Sequence, residues 1–330
     1  NLTHNIFNTF INHNLLIIYQ NNRVLNLSNK LNRIYIGSIC NRDLEIFDKI
    51  KKFCKKNYNI AIVNLLKKDS NTFNVKYFKK QLKKYPISFL IIKVLSEKEN
   101  QEIYKAIKDI APYIPLLNSL DAVRTCESRK HTFRAVEQKY KKNIIPRCFY
   151  TFNEAFEACS NGTKLVIKLD KHNIPNLSRD DRIIGIAKDP HSFKELTKEF
   201  NENELFFQEY LGKFDIIYKV YVIGRWTVTI TSHNRLQQKE YLTPLELIHI
   251  RVPIDKQLKR RILRLGRKMG LSIFGVDYVL TDEGNPYIID INDFPSFRSV
   301  PEAVSLISDY IYNIVQMQQQ IYKIRASVKG

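Results

Sequence analysis

From Arg33 onward the hydrophobic residues fall in short runs, and the segments between the runs have helical rather than strand spacing. Ile34–Ile39, Ile60–Leu66 and Ile87–Val94 are apolar stretches of strand length, separated by polar-faced segments over 43–56 and 74–84. Strands alternating with helices predict a small parallel α/β domain. A helix is expected to start near Ser119 or Asp121, either able to cap its first N–H groups, and to run to about Tyr140. Strands Lys164–Leu169 and Leu205–Tyr210 frame a second region. A third holds strands at Tyr218–Ile223 and Thr227–Thr231, a basic helix over 255–269, and a hairpin of Phe274–Leu280 and Tyr287–Ile291. Asp282-Glu283-Gly284-Asn285 supplies its turn, because Gly and Asn tolerate positive φ. The closing helix, 302–325, places Val304, Ile307, Ile311, Ile314, Met317, Ile321 and Ile324 on one face, a stripe suited to core packing.

The pattern divides the chain into an Asn-rich extension over 1–30 with one short strand at Leu15–Tyr19, an N-terminal α/β domain over 31–118, and two further subdomains over 119–212 and 213–330. The fold class is α/β (α+β). No internal repeat or low-complexity tract is visible.

Charge narrows the partners. Lys and Arg total 53 against 33 Asp plus Glu, a surplus that attracts polyanions. Residues 41–110 alone carry 17 Lys or Arg and 8 Asp or Glu. Nucleic acid, an acidic membrane and polyphosphorylated metabolites are all eligible on charge. Aromatics do not interleave with the basic runs in an RNA-binding pattern, and no zinc or helix-turn-helix signature appears, so no specific nucleic acid is expected. Five scattered cysteines lack the paired short spacings of a zinc site or a disulfide framework and fit a reducing cytoplasm. No apolar run approaches the ~20 residues of a membrane span, and the first residues lack the features of an export signal.

The chemistry concentrates in Gly275-Val276-Asp277-Tyr278 and, after the turn, Ile288-Ile289-Asp290-Ile291-Asn292-Asp293-Phe294-Pro295. Asp290 and Asn292 lie two apart, so on a strand both side chains leave one face, and antiparallel pairing can bring Asp277 beside them. Three oxygen donors of this kind suit Mg²⁺, which completes its octahedron with water and nucleotide phosphates. Lys168 ends an apolar strand, where a buried stem can aim its ammonium at a phosphate. Phe206-Phe207-Gln208-Glu209-Tyr210-Leu211 reads as a strand leading to a hinge whose backbone can pair with an adenine edge. Lys219 follows eleven residues after Gln208.

The order Lys168, Gln208-Glu209, Lys219, Asp277, Asp290-x-Asn292 resembles the ATP-grasp superfamily. In detail it resembles the inositol trisphosphate 5/6-kinase family (inositol-tetrakisphosphate 1-kinases), through Tyr218–Gly224, Asp290–Pro295, Leu120-Asp121-Ala122-Val123-Arg124-Thr125 with Arg129, and Ile91-Ile92-Lys93. The likeness runs from about Arg33 to about Tyr312. It implies an ATP-grasp fold whose central and C-terminal subdomains enclose a nucleotide, and a monomeric Mg-ATP-dependent kinase acting on an inositol polyphosphate. It further implies that Arg129 and Lys168 hold the nucleotide phosphates, that Gln208, Glu209 and Leu211 line the adenine hinge, and that Asp215 reaches the ribose. Asp277, Asp290 and Asn292 would bind Mg²⁺, with Lys168, Lys219 and Asp290 closest to the chemistry. Arg42, Lys93 and Lys219 match positions that contact the acceptor's phosphates, with His172 and Asn292 also on the substrate side.

Three positions depart from the family pattern. The loop after the phosphate lysine, Lys171-His172-Asn173-Ile174-Pro175-Asn176-Leu177-Ser178-Arg179, lacks the family's glycines and has Arg179 after Ser178 where a histidine is usual; Arg179 can still bind phosphate. Arg235 stands near the place of an arginine-serine pair, and Ser296 follows Pro295 where glycine is usual. ATP-grasp carboxylate-amine ligases share the lysines, hinge and metal hairpin, and form the main alternative. They more often have glutamates at the acidic positions.

Overall fold

In the computed structural model the described residues are 33–67, 73–140, 144–175, 177, 182–233 and 248–327. The expected strand at Leu15–Tyr19 lies outside them, as do Arg179 and Arg235. Two compact units emerge, one built from 33–94, 98–117 and the C-terminal residues from Glu302, the other from 95–97 and 118–301.

In the N-terminal unit four parallel strands, β1 (Ile34–Cys40), β2 (Ile60–Asn64), β3 (Ile87–Lys93) and β4 (Leu116–Leu117), are ordered β2-β1-β3-β4. Helices α1 (Leu44–Tyr58), α2 (Val75–Lys84) and α3 (Asn100–Ile110) make the crossovers. The near-continuous apolar runs of β1 and β3 are what a sheet covered on both faces requires. The last helix, α9 (Ala303–Ser327), groups with this unit and packs against α1. Its buried line is Ala303, Ile307, Ile311 and Val315, a run of steps of four. Met317, expected on the stripe, is exposed. Tyr58 of α1 stacks on Tyr312 and hydrogen-bonds Asp309.

The second unit holds two antiparallel sheets. One joins β5 (Cys148–Phe149), β6 (Leu165–Leu169), β7 (Ile183–Ala187) and β8 (Leu205–Glu209) in the order β5-β8-β6-β7. The other joins β9 (Ile216–Ile223), β10 (Trp226–His233), β11 (Ile273–Leu280) and β12 (Pro286–Asp293) in the order β10-β9-β11-β12. Leu165, Ile167 and Phe207 pack with Phe193 of helix α7 (Pro190–Thr197) and Ala155 of α6 (Phe152–Ser160). Val220, Val276 and Tyr278 pack against Leu258 and Ile262 of α8 (Lys256–Met269). Gly284, at φ 78, carries the β11–β12 turn.

The single helix expected from Ser119 to Tyr140 is two, α4 (Leu120–Cys126) and α5 (Arg129–Tyr140). Ser119 does cap the first, accepting from Ala122 N–H. Ser128 breaks the run: its backbone bridges to Lys171, and its hydroxyl accepts from His131 N–H. The restart points the first N–H groups of α5 at Asp170, whose backbone carbonyl takes Arg129 N–H at 2.8 Å and whose carboxylate takes Lys130 N–H at 2.7 Å. Helix propensity alone would have continued the helix; the strand-end residue Asp170 outcompetes it by satisfying donors that a helix start leaves open.

Candidate functional site

Strand register assembles the centre of the site. Asp277 pairs with Lys219 on one side and with Asp290 on the other, so a cation and two carboxylates stand in one row across β9, β11 and β12. The next rung on that face is Tyr221, Gly275 and Asn292. The expectation that Asp277 would sit beside Asp290 and Asn292 matches this geometry. Lys219 Nζ lies 3.7 Å from Asp277 Oδ2, both side chains about a quarter exposed. Asn292 Nδ2 donates to Asp290 Oδ2 at 3.3 Å.

Three groups from outside the hairpin close on Asp290. Arg129 Nε lies 3.4 Å and His172 Nε2 3.6 Å from its Oδ1. Lys168 is buried on β6, donating to Gln208 Oε1 at 2.8 Å and to the Ile289 carbonyl at 3.0 Å. That second bond ties the phosphate-lysine strand directly to the hairpin. Arg129 is held rigidly, its Nη1 donating to the carbonyls of Leu169 and Lys171.

Burial sets the protonation of the cluster. It pushes the Lys168 pKa down to about 8, and the nearby Arg129 pushes the same way while Asp290 opposes both. His172, 1 % exposed, is lowered to about 3 by burial and then by Arg129, so its ring is neutral at physiological pH. Neither ring nitrogen hydrogen-bonds another described residue. Burial raises the Asp290 pKa, but Arg129 and the other neighbours outweigh it and hold the carboxyl below the usual carboxylate range. Asp290 is thus an anion at all ordinary pH values.

A strained turn locks the hairpin's end. Phe294 and Phe297 adopt φ of 36° and 55°, unusual for bulky residues. Both rings are fully buried, packed edge to face at 6.2 Å, and Phe297 also meets Tyr221 at 5.2 Å. Pro295 lies over Gly275, where an added Cβ would sit 3.2 Å from Pro295 Cγ. Ser296 is buried within this turn.

Other expected positions fall as follows. The Gln208 side chain, 1 % exposed, accepts from Lys168 and donates to Cys148. Strand pairing takes the N–H groups of Glu209 and Tyr210 for the carbonyls of Arg147 and Lys164. Leu211 is half-buried and Asp215 exposed just before β9. In the N-terminal unit Lys93 ends β3 and Arg42 follows β1, both buried. Lys93 Nζ meets Asp43 Oδ2 at 2.9 Å, and burial first, then Arg42, lowers its pKa to about 8 against the pull of Asp43. Asp43, Asp170 and the Ile289 carbonyl were not singled out from sequence. Only Asp170, an acid immediately after the strand that carries Lys168, had a local signal.

A D-alanine–D-alanine ligase from Bacillus anthracis, complexed with ATP, superposes with a TM-score of 0.59 at 13% identity, covering 88% of this chain and 99% of that one. The chain has the ATP-grasp fold. Within it, residues 231–313 match the model of the inositol 1,3,4-trisphosphate 5/6-kinase ATP-grasp domain. Among curated relatives, inositol-tetrakisphosphate 1-kinase of Xenopus laevis is 23% identical over 68% of this chain and 64% of its own length. Inositol-tetrakisphosphate 1-kinase 3 of Arabidopsis thaliana is 22% identical over 67% of this chain and 70% of its own. The chain is therefore a distant relative of these kinases and aligns with just under two-thirds of the Xenopus protein. Among the described residues no helix is long and apolar enough to cross a membrane.

Proposed function

We propose that this ATP-grasp protein is a Mg-ATP-dependent kinase that transfers the γ-phosphate to an inositol polyphosphate. One observation carries the reading: the Lys219–Asp277–Asp290 row and Asn292 lie largely within the stretch that matches the kinase family's model.

The donor set fits a hard divalent cation. Asp277, Asp290 and Asn292 present oxygens on one sheet face, and Asp290 Oδ1 is a buried carboxylate oxygen with no hydrogen bond. Turning the Asn292 amide would exchange its nitrogen for its oxygen at the site. Mg²⁺ held there would neutralise charge developing on the transferred phosphoryl group.

The remaining work falls to the chain's own groups. Lys168, protonated below about pH 8, and Lys219 supply positive charge along the nucleotide's phosphates. Arg129 fixes the Asp290 carboxylate, so little reorganisation accompanies reaction. Past the paired N–H groups of Glu209 and Tyr210 the chain leaves the strand at Leu211, which we assign to the adenine edge, with Asp215 toward the ribose.

We assign Arg42 and Lys93 to the acceptor's phosphates. They lie at the carboxyl ends of the adjacent parallel strands β1 and β3, which is where the strand order reverses in β2-β1-β3-β4. Open α/β sheets bind ligands at such switch points. The test is turnover with γ-labelled ATP and inositol polyphosphates: label should appear in the acceptor. Label released as inorganic phosphate, and only when a carboxylate and an amine are both supplied, would show a ligase instead.

A further inference from the structure

Helix α8 has an outer face that, apart from Lys268, which donates to the Lys139 carbonyl and lies over the Tyr140 ring, neither folding nor the site accounts for. Leu258, Ile262, Leu265, Gly266 and Met269 are buried beneath it. Lys256, Arg260, Arg264, Arg267 and Lys268 are exposed, and at 3.6 residues per turn they fall within an arc of about 120° along some 18 Å of helix. No acidic residue lies between Lys256 and Met269. Asp255, just before them, is engaged in capping the N–H groups of Gln257 and Leu258.

Like charges four residues apart, as in Lys256/Arg260/Arg264/Lys268, weaken a helix. In α1, by contrast, Lys49 and Lys51 pair with Glu45 and Asp48. Lys256, Arg260, Arg264 and Arg267 make no ion pair with another described residue. Composition bias toward lysine does not explain the face either, since three of its five cations are arginines, the side chain that binds phosphate as a planar fork. Nor does α8 serve the nucleotide site: it covers Val220, Val276 and Tyr278, which alternate along their strands with Lys219 and Asp277 and so face away from them.

We propose that this outer face of α8 docks on the phosphate backbone of double-stranded nucleic acid, without reading bases. A duplex carries one charge per about 1.7 Å, so about ten phosphates lie within 18 Å, and each one neutralised releases condensed counterions. Besides its cations the arc contains only Gln257, too little to read a sequence, and no aromatic on which single-stranded bases would stack. It likewise has no exposed apolar side chain to enter a bilayer, which leaves a membrane only screened headgroup attraction.

The test is fluorescence anisotropy of a labelled duplex of about 20 base pairs, titrated with the full chain from about 50 to 200 mM salt. The variant combines Lys256→Gln, Arg260→Gln, Arg264→Gln and Arg267→Gln. A control of equal charge loss combines Lys76→Gln, Lys79→Gln, Lys80→Gln and Lys83→Gln on α2, all exposed. The α8 variant should bind at least tenfold more weakly and lose about three to four from its log–log salt slope, at roughly 0.9 per phosphate. The control should change less than about threefold. Equal losses in the two variants would reduce the effect to net charge and overturn the assignment. So would duplex binding that survives in the α8 variant while its sedimentation with phosphatidylserine vesicles is lost. Thermal melts monitor folding; should the quadruple variant unfold, the Arg260→Gln/Arg264→Gln pair carries the same test, with about half the change in slope.

Discussion

Replacing Asp290 by Asn keeps the side chain's size and removes its charge, and two separable effects should follow. The first needs no ligand. Arg129 is 6 % exposed with its Nε 3.4 Å from the Asp290 carboxylate, and Lys168 is also buried close by. Removing one partner of a buried pair typically costs about 3–5 kcal/mol because the other charge is left without compensation. The Asp290 side chain is 18 % exposed, which argues for the lower end, about 3 kcal/mol. For a unit of this size that corresponds to a fall of about 6–12 °C in Tm.

Acid should expose the same coupling. Asp290 titrates below its ordinary value of 3.8 when folded. Its stabilisation is therefore present above that value and is lost as pH falls further, so the wild type should shed stability in strong acid and Asp290→Asn should show less of that slope. The second effect is catalytic: phosphate transfer should fall by at least about 10³, since both a metal oxygen and preorganised charge are removed. Calorimetry without ligand and steady-state turnover at saturating Mg²⁺ read the two separately. An unchanged Tm would refute the charge coupling, and near-normal turnover would refute the metal assignment.

Lys93, with a pKa near 8, should lose its charge as pH rises through that value, so acceptor KM should climb severalfold between about pH 7 and 9. The rise should disappear in Lys93→Met; a pH-independent acceptor KM in the wild type would remove Lys93 from the acceptor site. Gly275→Ala places a methyl 3.2 Å from Pro295 Cγ and must move a turn already held at positive φ by two buried phenylalanines. A loss of about 1–3 kcal/mol should appear in chemical denaturation, with reduced turnover and little change in ATP KM; an unaltered midpoint would show that the turn yields freely.

What could be read along the chain was whatever has a short period. Strand alternation put Asp290 and Asn292 on one face, the turn residues Gly284 and Asn285 marked the hairpin that brings Asp277 opposite, and runs of Val, Ile and Leu marked the parallel sheet of the N-terminal unit. These features depend on residues two to about fifteen apart, where backbone geometry leaves few choices. The contacts that set charge and shape were different. The helix broke at Ser128 because Asp170, forty residues beyond Lys130, satisfied its new N-terminus. The Gln208 side chain became the acceptor for Lys168, and His172 became a neutral ring through burial. Lys93, at the end of β3, met Asp43, which lies past the end of the adjacent β1. None of these partners is near its counterpart in sequence, and burial, which decides whether a lysine is charged or a histidine neutral, belongs to the folded molecule and not to any segment of it.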